Sequence, residues 1–160
     1  MKKKILVTGG AGVIGFEICK QLSILKHDVI LFDLGEQIER IKANIPKNIK
    51  TYYGSIKDVS ALSNAMKNID IVIHLAALLG VKRSENDKLM CLDININGTQ
   101  NVLDSCVKNR VKKFIFASSS EVYGEPNKNP IDEKFETKGK TVYAISKLAG
   151  EELCRAYNQS

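Results

Sequence analysis

An α/β fold built on a parallel sheet is what the sequence predicts. Short β-branched runs alternate with helical patterns, the first run empties into a glycine-rich turn, and 160 residues at 44% hydrophobic suffice for one domain with a real core. Lys4-Ile5-Leu6-Val7-Thr8 opens as a strand and ends on glycines. Apolar residues at 14, 18, 22 and 25 then predict a helix between Val13 and Lys26. Val29–Phe32, Lys50–Tyr53, Ile71–Leu75 and Phe114–Ala117 repeat the buried-strand signature, making five strands. Helical patterns fall at 36–43, at 59–68 behind an Asp58 cap, and along one long stretch from about 86 to 109. The segment Glu125–Lys140 holds Pro126 and Pro130, many charges and no apolar period, so it reads as a surface loop before a last helix at about 141–157. Strict alternation implies parallel strands joined by right-handed crossovers.

Composition excludes several classes. The start Met1-Lys2-Lys3-Lys4 imitates a signal peptide, but its apolar stretch stops at Thr8-Gly9-Gly10. The longest apolar run, Ile71 to Val81, is interrupted by His74 and Gly80 and falls short of the ~20 residues of a membrane span. A soluble, cytoplasmic protein without a membrane partner is expected. Cys19, Cys91, Cys106 and Cys154 stand far apart, with two histidines in the whole chain, so neither a metal site nor a disulfide framework is expected. The net charge of +6 comes from lysines scattered along the sequence without interleaved aromatic rings, which argues against a nucleic-acid partner.

Thr8-Gly9-Gly10-Ala11-Gly12-Val13-Ile14-Gly15 satisfies both G-x-G-x-x-G (10, 12, 15) and T-G-x-x-G-x-x-G (9, 12, 15). Glycines there serve a tight turn, close approach of a pyrophosphate, and helix–strand packing. The helix that opens near Gly12 or Val13 aims free N–H groups and its positive end at phosphates. Eighteen residues after Gly15, Asp33 ends the second strand, where a carboxylate accepts hydrogen bonds from an adenosine ribose. Positions 34–37 (Leu, Gly, Glu, Gln) offer no cation for a 2′-phosphate, so NAD is expected over NADP.

Tyr143-Ala144-Ile145-Ser146-Lys147 places a phenol and an ammonium one helical turn apart on one face. Tyr53 and Lys57 match the spacing too, but Tyr53 ends a strand and precedes Gly54, so the second pair is preferred. Bringing a phenol from a pKa of ~10 to ~7 takes about 4 kcal/mol, and an ammonium ~4 Å away supplies about that much. Ser118, Ser119 and Ser120 follow the fifth strand, where a hydroxyl can hold a substrate oxygen; a turn or helix cap is the plainer alternative.

These segments, together with His74-Leu75-Ala76-Ala77, Asn95-Ile96-Asn97-Gly98-Thr99 and Ser118-Ser119-Ser120-Glu121-Val122-Tyr123-Gly124, resemble the extended short-chain dehydrogenase/reductase family, specifically its NAD-dependent nucleotide-sugar epimerase/dehydratase group. The resemblance covers essentially the whole chain. It implies a Rossmann-type doubly wound parallel sheet, strand order 3-2-1-4-5, over residues 1–160, with the family's C-terminal substrate domain absent. It implies Tyr143 as catalytic base, Lys147 as its ribose-binding partner, and Ser119 as the active-site Ser/Thr. Cofactor contacts are implied for Gly9, Gly12, Val13, Ile14, Gly15, Asp33, Leu75, Ala76, Ala77 and Asn95, and for Ser55-Ile56, where the family commonly has Asp-Ile against adenine. His74 reads as a satisfied polar residue near the sheet end.

In such enzymes a sugar hydroxyl loses its proton to tyrosine while its carbon gives hydride to NAD. Ser120 replaces the acid-supplying Asp of the dehydratases, and Leu79 stands where galactose-type 4-epimerases often have lysine. Ser119-Ser120-Glu121 resembles the Thr-Ser-Glu of UDP-glucuronate decarboxylases, with Glu121 as a catalytic candidate. Epimerisation of a UDP-, GDP- or dTDP-linked sugar is the first expectation. Decarboxylation, dehydration or an inert NAD-binding fragment remain open, as does a homodimer through the helices near 86–109 and 141–157.

Overall fold

The computed structural model describes residues 1–79, 85–126 and 128–159. Gly80 and Val81, which end the apolar run, lie outside them. The strands are β1 (Lys4–Thr8), β2 (Asp28–Asp33), β3 (Ile49–Tyr53), β4 (Ile71–His74) and β5 (Lys113–Phe116). All neighbouring pairs are parallel, and the order is β3-β2-β1-β4-β5, as expected. The helices are α1 (Val13–Ile24), α2 (Gly35–Ile41), α3 (Val59–Ala65), α4 (Lys88–Leu92), α5 (Gly98–Lys108) and α6 (Val142–Gln159). Asp58 caps α3 as predicted, its carboxylate accepting from the Ala61 N–H at 2.9 Å.

Two compact units result, one of Met1–Ala76 with Asn101–Ala117, the other of Ala77–Gln100 with the residues from Ser118 onward. The first contains the whole sheet. Ile5, Val7, Val29 and Leu31 point to one face, where they pack with Cys19 of α1 and Ile38 of α2. Strand alternation turns Leu6 and Phe32 the other way. On that face a Cβ at Gly54 would meet the Phe32 ring at 2.7 Å and Ala61 of α3 at 3.0 Å. Leu6, Leu31 and Val72 are fully buried, as strands covered on both faces require.

Two of the expected helices differ in detail from a regular amphipathic pattern. The buried positions of α1 are Gly15, Cys19 and Ser23, while Ile14 and Leu25 stand 69% and 66% exposed. Of the predicted apolar period, Ile18 and Leu22 pack against the sheet core together with Phe16, while the positions at 14 and 25 do not. The long helical stretch expected at 86–109 is observed from Lys88 to Lys108, with one irregular turn inside it. Asp87 caps α4, accepting from the Met90 N–H at 3.1 Å, and a π-helical turn over Asp93–Asn97 separates α4 from α5. Its physical reason is Asn95, whose side chain is drawn inward, while the Thr99 hydroxyl donates back to the Asn95 carbonyl at 2.6 Å.

Leu6→Ala should cost about 2–5 kcal/mol in urea unfolding, because the cavity opens between two covered faces. A loss below about 1 kcal/mol would mean that this face is not packed as described.

Candidate active site

In the first unit, β1 and β4 are adjacent while their continuations run to opposite sides of the sheet, so their carboxyl ends form the switch point where ligands of such sheets bind. The glycine turn sits there. Gly9 has φ +69, and a Cβ on it would lie 2.7 Å from the Ala76 nitrogen. One on Gly10 would meet the Val7 carbonyl oxygen at 2.9 Å, and one on Gly15 would collide with the Gly9 carbonyl. Packing alone therefore demands these three glycines. Gly12 differs, since a Cβ there would meet only the Gly9 oxygen, at 3.3 Å. Its lack of a side chain keeps a surface clear rather than letting protein pack against protein. Gly12 is also the N-cap of α1 and has no side chain to cap it, and the first turn carries no acidic residue. The opening N–H groups of α1, beside exposed Val13 and Ile14, are thus left for an external acceptor.

Asp33 is tied to the same turn. Its Oδ2 accepts from the Ala11 N–H at 2.9 Å and its Oδ1 from the Leu34 N–H at 2.8 Å. Burial raises its carboxyl above the usual range against the pull of those two N–H groups, and each oxygen retains a lone pair for a hydroxyl donor. Gly54 N–H bonds to the Asp33 carbonyl at 2.9 Å, which brings Ser55 and Ile56 to the same sheet end. The Ser55 hydroxyl accepts from the Lys57 N–H at 3.2 Å, and the Ile56 carbonyl accepts from the Asn101 amide at 3.2 Å. Leu75 N–H bonds to the Thr8 carbonyl at 3.1 Å, and Ala76 N–H to the Thr8 hydroxyl at 3.3 Å. That hydroxyl also shares a 2.6 Å bond with Nδ1 of His74, which is buried between Phe114 and Phe116, so His74 is a satisfied core residue as expected. These residues fit a dinucleotide: free helix-end donors for a pyrophosphate, a carboxylate for a ribose, and a face kept bare at Gly12.

The second unit begins at Ala77 and gathers Ser119, Glu121, Tyr143 and Lys147. Both ends of the α6 N-terminal turn are fixed. The Thr141 hydroxyl accepts from the Ala144 N–H at 3.0 Å and donates to Glu121 Oε2 at 2.8 Å, and Glu85 Oε1 accepts from the Val142 N–H at 3.1 Å. Farther along α6, Ser146 donates to the Tyr143 carbonyl at 2.7 Å and accepts from the Asn95 amide at 3.0 Å. Asn95 in turn clamps the Leu78 backbone, accepting from its N–H at 2.7 Å and donating to its carbonyl at 3.2 Å. Its amide is buried and committed to protein, so it positions α6.

Tyr143 is 8% and Lys147 4% exposed, with the ammonium 5.8 Å from the centre of the phenol ring. Burial pushes the phenol up, Glu121 adds to the rise, and a hydrogen bond with Ser119 opposes it. Burial thus sets the net direction for the phenol, and it also lowers the Lys147 ammonium from 10.5 to about 8, which leaves it mostly protonated at pH 7. The serine run divides its tasks. Ser118 donates to Glu151 at 2.5 Å, and Ser119 accepts from the Glu121 N–H at 3.2 Å as the cap of a 3₁₀ turn over Ser120–Tyr123.

Sequence reasoning missed Thr141, Glu85 and Ser146. A Thr two residues before Tyr143 at a helix start carried a readable capping signal. The other two act across 57 and 51 residues, which no local pattern discloses.

Residues 5–160 match the family described as NAD dependent epimerase/dehydratase. The chain is 39% identical over 158 residues to a putative UDP-glucose 4-epimerase of Methanocaldococcus jannaschii, covering 97% of this chain and 51% of that protein. It is 36% identical to a UDP-N-acetyl-alpha-D-glucosaminuronate decarboxylase of Bacillus cytotoxicus, covering 98% and 50%. Among solved structures, the UDP-glucose 4-epimerase of Bifidobacterium longum in complex with NAD+ and UDP superposes with a TM-score of 0.88 at 35% identity, covering 98% of this chain and 49% of that one. The chain thus spans about half the length of the curated relatives it matches.

Burial of a charged Lys147 costs stability wherever the amine is protonated in both states, that is, below about 8. Relative to the unsubstituted chain, Lys147→Met should therefore be more stable at pH 7 than at pH 10.5, the change falling between about pH 8 and 10.5 as the folded and then the unfolded amine becomes neutral. Chemical denaturation at pH 7 and 10.5 measures it, and a stability difference that does not change with pH would contradict this electrostatic reading.

Proposed function

Because this chain belongs to the NAD dependent epimerase/dehydratase family, we propose that it is the NAD-binding portion of a nucleotide-sugar epimerase that oxidises a sugar hydroxyl transiently. The single observation that carries the binding claim is Gly12, a glycine in the family's turn whose bareness protein packing does not require. In this reading the first-turn N–H groups of α1, at Val13, Ile14 and Gly15, hold the pyrophosphate. Asp33 accepts from the adenosine ribose, and Ser55-Ile56, Leu75 and Ala76 line the same sheet end. A UDP-linked sugar is the substrate class, since the relatives and the neighbouring structure are named for UDP or UDP-sugars.

When bound, NAD supplies the hydride acceptor and a positive charge. Tyr143 takes the hydroxyl proton at its phenolic oxygen. Ser119, hydrogen-bonded to that phenol, orients the substrate oxygen and steadies the proton in transfer. Lys147 favours the phenolate through its ammonium over the ring. Glu121 stays anchored to Thr141, with one carboxylate oxygen left to exchange a proton.

A decarboxylase is the second reading, favoured by Ser119-Ser120-Glu121 and by the Bacillus cytotoxicus relative. Proton NMR of UDP-sugars incubated with the protein and NAD separates the two, because epimerisation yields a 4-epimer of unchanged mass whereas decarboxylation of a uronate releases carbon dioxide. Calorimetric titration with NAD tests the binding site itself. Gly12→Ala is expected to change stability by less than about 1 kcal/mol yet weaken NAD at least about tenfold, and Asp33→Asn to weaken it by a similar factor. Unchanged affinity in both variants would place the cofactor elsewhere.

A further inference from the structure

The lysines scattered through the sequence converge in space. Parallel strands put all five amino ends on one side of the first unit, and there Lys2, Lys3, Lys4, Lys50, Lys112 and Lys113 come together. Around Asp28, Lys2 through a hydrogen bond and Lys4 and Lys50 through space hold the carboxyl below its usual range. Around Asp70, the Lys4 N–H and the Lys112 ammonium do the same, with Lys3 close by. Helices return antiparallel to the strands, so their carboxyl ends deliver Lys26, Lys67 and Arg110 to this side. Lys26 and Arg110 occupy left-handed positions, φ 66 and 55, where glycine fits without strain. These nine cations face Asp28 and Asp70, and all but Lys3 are exposed.

A helix dipole explains cations at helix ends but not the six at the strand ends. The chemistry of the surface selects a partner. Eight of its nine cations are lysine, which acts as a hydrated point charge, and a single arginine offers the planar fork suited to specific phosphate recognition. The cations are not interleaved with exposed Phe or Tyr rings, and the neighbouring His27 ring is half-buried and accepts from the Lys3 N–H at 3.1 Å, so bases have little to stack on. Aliphatic side chains do belong to this end. Ile24 and Leu25, just before Lys26, are 68% and 66% exposed, and Val107 in the last turn of α5 is 62% exposed. Diffuse lysine charge with interspersed aliphatic groups matches an interfacial bilayer contact.

We propose that the amino-terminal strand end of the first unit is a docking surface for an anionic phospholipid bilayer. The sequence-level expectation of no membrane partner rested on the lack of an apolar span, and among the described residues no helix is long and apolar enough to cross a membrane. Peripheral contact needs none. It also places the basic surface opposite the carboxyl ends of the strands, so it does not depend on the NAD reading.

Co-flotation of the protein with vesicles tests this. Vesicles of phosphatidylcholine with 30% phosphatidylglycerol, a probe mixture of about that composition, should carry the protein at low salt, and pure phosphatidylcholine should not. Salt at about 0.5 M should release it. Each cation is worth roughly fivefold in partitioning, so Lys4→Gln/Lys50→Gln/Lys113→Gln should weaken binding at least about tenfold. The control Lys134→Gln/Lys138→Gln/Lys140→Gln should not, and calorimetric NAD binding should be equal in both variants. Equal binding to neutral vesicles, equal loss in the control, no binding at all, or displacement from anionic vesicles by a short RNA at equimolar phosphate would each overturn the proposal.

Discussion

The backbone of Gly9 passes so close to Leu75 and Ala76 that the interval between β1 and β4 admits no side chain. From that one constraint the rest of the sheet's carboxyl end follows. Thr8 must spend its carbonyl and hydroxyl on Leu75, Ala76 and His74, Asp33 must reach over to hold Ala11, and α1 must start where Gly12 leaves its donors open. The turn is therefore shaped by contacts within the protein at Gly9, Gly10 and Gly15 and by something outside it at Gly12.

The second unit is organised differently, around buried polar groups. Asn95 leaves regular helix to grip Leu78 and Ser146, and Thr141 and Glu85 close the start of α6, so the backbone bearing Tyr143 and Lys147 is held at several points. That network holds side by side a phenol pushed up and an ammonium pushed down by burial. Residues kept where they reduce stability are a common mark of functional sites.

Much of this was legible in the sequence, and the reasons differ by residue. The strands and the glycine turn were readable because period, spacing and turn chemistry agreed, from Lys4 to Asp33 above all, whereas the strand order came from the resemblance to a known family. The inward face of α1 was readable in part: Ile18 and Leu22 of the apolar period pack on the core, but the fully buried positions go to Gly15, Cys19 and Ser23, which pattern counting does not follow. The break in the long helix depended on a hydrogen bond from Asn95 to a residue 51 positions away. Spacing reported that Tyr143 lies beside a cation but could not report its burial, which raises the phenol. The lysines, dispersed along the chain, gathered only once the strands were laid parallel.

The central claim is that the bare face at Gly12 and the carboxylate of Asp33 receive a dinucleotide. Amide resonances followed by two-dimensional NMR during addition of NAD test it most directly. The account predicts that the largest shifts fall on the amides of Val13, Ile14, Gly15 and Leu34. Shifts confined to residues away from the carboxyl end of the sheet, or none at saturating cofactor, would contradict it.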